Sequence, residues 1–109
     1  MFESLNKKGT IREGIDITNY LFAPLKDFIG QDLKVDGFFF TEGQYGRQVV
    51  VVAEGTKINF PSRSVEEFQK IADNDQMLDA VLAQHLLITD IKSIKTRNGN
   101  TVAYRFADR

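Results

Sequence analysis

The sequence predicts a small, mainly β domain: a five-stranded barrel with one helix, or two short ones, between its third and fourth strands. Three observations carry this. Segments of alternating apolar and polar residues are separated by glycine-containing turns on both sides of the chain's middle. A stretch of helical periodicity over about residues 64–84 interrupts them. The 109 residues include no cysteine, and that length is enough to bury one core without disulfides.

Residues 1–14 are expected to form a flexible arm, with Lys7-Lys8-Gly9 as its least structured part, and residues 15–109 a single domain. Ile15 and Ile17 alternate with Asp16 and Thr18, which suits a short extended piece. Pro24 suits the start of a short helix and Gly30 its stop, with Leu25, Phe28 and Ile29 inward. The run 33–60, LKVDGFFFTEGQYGRQVVVVAEGTKINF, then reads as a three-stranded meander. Strict alternation puts Leu33, Val35, Gly37 and Phe39 on the core face, leaving Lys34, Asp36, Phe38 and Phe40 outward. Glycines 43 and 46 supply a hairpin loop, and the valine-rich strand after it suits cover on both faces. Ile58 and Phe60 point inward on the third strand.

Ser64 and Glu67 have capping-box spacing and open a helix whose apolar face is Val65, Phe68, Ile71 and Ala72. Asp73-Asn74-Asp75 breaks the pattern, and Asn74 or Asp75 can cap a second helix carrying Met77, Leu78, Val81 and Leu82. The closing section is a long hairpin with Asn98-Gly99 in its turn. Ile88 and Ile91 differ in parity, which calls for a bulge or a strong bend between them, while Val102, Tyr104 and Phe106 share a face. Strand, strand, strand, helix, strand, strand is the OB-fold arrangement. An SH3-like barrel has no place for so long a helical stretch, and a split sheet crossed by a helix is the remaining alternative.

Net charge is −1, but it is unevenly distributed. Glu66, Glu67, Asp73, Asp75 and Asp79 face only Lys70 over the helical stretch, whereas Lys92, Lys95, Arg97, Arg105 and Arg109 outnumber Asp90 and Asp108 at the end. No catalytic motif is present. His85 is the single histidine and suits a helix C-terminus, so neither a metal site nor any other cofactor is expected, and the protein is not expected to be an enzyme. The absence of an apolar leader or membrane-length run points to a cytoplasmic protein without membrane attachment.

What remains is a binding face. Single-stranded nucleic acid needs rings for base stacking and cations along its backbone. Phe38, Phe40 and Tyr45 are the candidate stacking residues of the first hairpin, and Tyr104 a further one that also suits the core. Arg47, Lys57, Lys92, Lys95, Arg97 and Arg105 are the candidate phosphate contacts. In an OB-fold the loops joining strands one to two and four to five, here residues 41–46 and 96–100, flank the binding groove. Cover by the N-terminal segment, or a dimer contact, is the competing account of Phe38 and Phe40.

The run 33–60, the helix after Ser64 and the closing IKSIKTRNGNTVAYRFAD together resemble the small single-stranded DNA-binding proteins of lactococcal and related Gram-positive phages, over about residues 30–108. The resemblance implies an OB-fold, non-specific binding of single-stranded DNA in phage or plasmid replication or recombination, and action in the host-cell cytoplasm. It also implies self-association as a homodimer or higher oligomer, and contact with replication or recombination proteins. Cellular counterparts end in an acidic tail; Ala107-Asp108-Arg109 stands here instead, so recruitment of host machinery by that route is not expected. The alternative function is a protein-interaction accessory module using the same aromatic face.

Overall fold

The computed structural model describes residues 10–12, 14–44, 46–97 and 99–109. Its strands are β1 (Leu21–Pro24), β2 (Leu33–Gly43), β3 (Gly46–Ala53), β4 (Thr56–Asn59), β5 (Leu86–Thr96) and β6 (Gly99–Asp108), with α1 (Ser64–Ala72) and α2 (Asp75–Leu82) between β4 and β5. They pair in the order β1-β4-β3-β2-β5-β6, a six-stranded mixed half-barrel. All neighbouring pairs are antiparallel except β1, which runs parallel to β4. This sixth strand is an addition to the five expected. Residues 15–17 belong to no strand. A parallel partner leaves no local turn signal, because its mate lies far along the chain.

Pro24 precedes one turn of 3-10 helix, Leu25–Phe28. The turn closes at Gly30, whose φ of +84° suits glycine and whose N–H donates to the Ile91 carbonyl at 3.1 Å. Leu25 is buried as expected, but Ile29 is exposed because the closing turn carries it outward.

β2 bends in its middle. Its register against β3 shifts between Val35 and Gly37, so alternation fails there. Leu33 and Val35 are buried as the alternation requires, and Phe38 then takes the core position expected for Phe39. Phe39 lies opposite Val50, outside the main core. The cause is the chain crossing at this point. The Arg12 N–H donates to the Asp36 carbonyl at 2.7 Å, and the Phe38 N–H donates to the Thr10 carbonyl at 2.9 Å. The Thr10 hydroxyl donates to the Phe38 carbonyl. Part of the expected arm is therefore an edge on β2; residues 1–9 lie outside the described residues. A Cβ on Gly37 would collide with the backbone of Thr10 and Ile11, neither of which can swing aside as a side chain can. Gly37→Ala is accordingly expected to cost about 1–3 kcal/mol in urea unfolding.

β3 is buried on both faces. Val49, Val51 and Ala53 enter the core, and Val50 and Val52 are equally inaccessible on the opposite side. β5 bends at the expected bulge, with Asp90 at a φ of +52° between the buried Ile88 and Ile91. β5 pairs with β2 only at Leu33↔Ile88 and Lys34↔Leu87, so its later half leaves the sheet as a two-stranded ribbon with β6.

The helical stretch is two helices. Asn74 caps α2 through the Met77 N–H at 3.0 Å. The capping box at α1 is not formed: Arg63 occupies the cap position without a side-chain capping bond, and Ser64 sits in the first turn, fully buried. The Tyr104 hydroxyl donates to the Ser64 Oγ at 2.5 Å, so the serine serves tertiary structure instead of the helix end. On α2, Leu78 and Val81 are buried but Met77 is 52% exposed. The core is filled by rings: Phe68 lies 5.1 Å from Phe38, 5.6 Å from Phe60 and 5.6 Å from Phe106 between centroids.

β4 and β6 share no ladder among the described residues. Side chains close the gap between them. Phe60 and Tyr104 meet at 4.9 Å, and the Arg63 guanidinium donates to the Val102 carbonyl at 2.5 Å and to Thr101 Oγ1 at 3.3 Å. Burial pushes the Tyr104 phenol above its ordinary pKa; the Ser64 hydrogen bond opposes this in part, Glu67 adds to it, and Arg63 opposes it. An acid held neutral by the fold stabilises below the unfolded pKa and loses that contribution as pH rises through the folded one. Tyr104→Phe leaves the buried Ser64 without its partner, at a cost of about 1–3 kcal/mol. The gap between wild type and variant is expected to narrow above about pH 10, as seen by urea midpoints on either side of that pH.

Candidate nucleic-acid interface

The β2–β3 hairpin leaves one end of β2, and the β5–β6 ribbon leaves the other. This follows from the registers: β3 pairs along β2 up to Gly43↔Gly46, while antiparallel β5 moves past Ile88 beyond the Leu33 end. Cations occur at both ends.

On the ribbon, Lys92, Lys95 and Arg97 are exposed. Lys92 lies opposite Ala103 and Lys95 opposite Asn100, which puts them on opposite faces, with Arg97 past the last paired residue of β5. Arg105 is exposed too, but its guanidinium is 3.6 Å from the Asp90 carboxylate. That neighbour offsets part of its charge and weakens it as a phosphate contact.

At the other end the Arg47 guanidinium lies 4.1 Å over the Phe40 ring, and Phe40 itself is half-buried against the core. Phe40 and Arg47 thus form one ring–cation pair. A second pair is Phe22 with Lys57, whose Nζ is 4.6 Å above the ring. Phe22 is 57% exposed on β1, directly opposite Lys57 in the register. Phe22 was not legible as a site residue, because only the parallel β1–β4 pairing brings it to Lys57.

Two of the candidate stacking residues are corrected. Phe38 is 0% exposed in the ring cluster, so no base can reach it; the bulge at Asp36 and Gly37 put it there. Tyr104 is committed to the core by its contacts with Phe60, Phe106 and Ser64. Tyr45 lies outside the described residues. The outer face of β3 is not an open groove either, since Val50 and Val52 are covered. The exposed chemistry is therefore at the two ends of β2 and along the β1–β4 edge. It consists of Phe40 with Arg47, Phe22 with Lys57, and the ribbon cations.

Among the described residues no group of three or more His, Cys, Asp or Glu side chains is arranged to hold a metal ion. No described helix is long and apolar enough to cross a membrane. Comparison of the chain with protein-family models, with curated proteins and with solved structures gives no match in any of the three.

Proposed function

We propose that this protein binds single-stranded DNA without catalysis and largely without sequence preference, in phage or plasmid replication or recombination. The observation that carries this is the pairing of rings with cations, the exposed Phe22 with Lys57 and the half-buried Phe40 with Arg47, together with the exposed cations of the β5–β6 ribbon. Rings give bases a sequence-tolerant stacking surface, and cations follow the phosphates. An OB-fold reading is supported by the strand order β4-β3-β2-β5-β6, by helices between β4 and β5, and by a bend in the first long strand. Against a regular OB barrel stands the missing β4–β6 ladder, with side chains in its place. The likeness to phage single-stranded DNA-binding proteins adds self-association and action in the host-cell cytoplasm to the proposal.

Titration of fluorescein-labelled oligo-dT tests it. With Arg47, Lys57, Lys92, Lys95 and Arg97 engaged, affinity is expected to fall about a hundredfold between roughly 50 and 200 mM salt. Absence of binding at the lower salt, or binding indifferent to salt, would remove the proposal. Phe22→Ala is expected to weaken binding by about 1–3 kcal/mol if a base stacks on that ring.

A further inference from the structure

The ribbon carries cations without rings. No phenylalanine, tyrosine, tryptophan or histidine stands in residues 86–103, and no aspartate or glutamate in residues 91–107. Lys92, Lys95 and Arg97 are therefore exposed there with no ring beside them in sequence for a base to stack on. Asp90, the carboxylate at the base of the ribbon, is engaged with Arg105. Lys92 and Lys95 stand on opposite faces, and the other exposed side chains around them, Ser93, Thr96 and Asn100, are short and polar. Among the described residues no third strand pairs with β5 past Ile88, and β6 is the edge of the sheet. Val102 still packs against the core; beyond it residues 94–96 and 99–101 project by roughly 10 Å, at a strand rise of roughly 3.3 Å per residue.

We propose that the ribbon seats in the major groove of duplex DNA next to a single strand held at the ring-bearing end of the sheet, so that the preferred ligand is a junction of single strand and duplex. This rests on the single-strand reading above. Unpaired bases need rings to stack on, and the ribbon has none. In a duplex the bases are already stacked on one another, and the phosphates are what a ringless cationic surface can hold. The placement of the lysines points the same way. A strand lying along one face would meet Lys92 or Lys95, whereas a ribbon inside a groove has a phosphate backbone on either side and uses both. The major groove of B-DNA, about 12 Å wide and about 8.5 Å deep, admits a two-stranded ribbon, and the projecting part is long enough to reach its floor.

Fluorescence anisotropy with the whole chain tests this on three labelled ligands. They are oligo-dT of about ten nucleotides, a blunt DNA hairpin of about twelve base pairs, and that hairpin carrying the oligo-dT as a tail. At about 0.1 M salt the tailed hairpin is expected to bind at least about tenfold more tightly than either of the others. Its log affinity should fall against log salt more steeply than that of oligo-dT, by about 2 in slope. Lys92→Glu and Lys95→Glu, made separately at exposed positions, should each weaken the tailed hairpin about tenfold and leave the urea midpoint unchanged. Phe22→Ala should weaken oligo-dT and the tailed hairpin but not the blunt hairpin. An RNA hairpin with the same tail should show no such advantage, because the major groove of an A-form duplex is deep and narrow. Three results would each overturn the proposal and leave single-strand binding standing: oligo-dT bound as tightly as the tailed hairpin, an equal advantage for the RNA hairpin, or a tailed-hairpin affinity sensitive to only one of the two lysines. Failure of oligo-dT to bind even at low salt would remove the single-strand reading, and the junction with it.

Discussion

The triple variant Lys92→Glu/Lys95→Glu/Arg97→Glu is expected to lose at least about a hundredfold in affinity for oligo-dT near 0.1 M salt. Each phosphate contact on a single strand contributes about 0.7 to the slope of log affinity against log salt, so removing three should lower that slope by about 2. The three side chains are exposed, so unfolding should move by no more than about 0.5 kcal/mol. The loss would then belong to binding and not to the fold. Lys92 and Lys95 lie on opposite faces of the ribbon. If DNA follows one face, one single reversal should carry more of the effect than the other, while a strand wrapping the tip would divide it evenly. Wild-type affinity and slope in the triple variant would exclude the ribbon, and with it most of the proposed interface.

The largest effect on stability is expected from Phe68→Ala, at about 3–5 kcal/mol in urea unfolding. Phe68 is wholly buried and touches Phe38, Phe60 and Phe106, so rings from β2, the end of β4, and β6 all lose a partner. Against a total stability of about 5–15 kcal/mol, such a loss leaves a marginal domain. Phe22→Ala is the contrast: the ring is exposed on an edge strand, and its removal should barely shift the midpoint. A Phe68→Ala cost below about 1 kcal/mol would mean that the rings repack across the space.

Features legible in the sequence were those set by near neighbours. The parity conflict of Ile88 and Ile91 called for a bulge or a strong bend, and the register shift at Asp90 supplies it. Asn74 could cap a helix and does. A run of valines implied cover on both faces of β3, and both are covered. The failures that bear on the core and the interface involve partners distant in sequence. Phe38 and Phe39 exchanged faces because residues 10–12 cross β2 at Gly37. Ser64 gave up its capping role to Tyr104, 40 positions later. Phe22 became a ring–cation partner through a parallel pairing with β4. For the interface the cations were legible, since exposed charge is readable from composition. Of the rings only Phe40 was, because ring exposure is decided by packing.

The ribbon and the helices also set the direction in which the molecule is charged. The acidic helices precede β5, with Glu67 and Asp108 beside its start, and Lys95 and Arg97 lie toward or beyond its far end. At a rise of roughly 3.3 Å per residue, the bent strand separates the two groups by at most roughly 30 Å. A chain of net charge −1 therefore carries charge of opposite sign toward the two ends of this strand. Near a polyanion the net charge produces only a small repulsion, whereas the field gradient exerts a torque on the dipole. If the ribbon is the DNA-binding face proposed above, that torque would turn it forward and the helices back. Orientation would be established before contact, and the same rotation would leave the helical end facing solution while the ribbon is engaged.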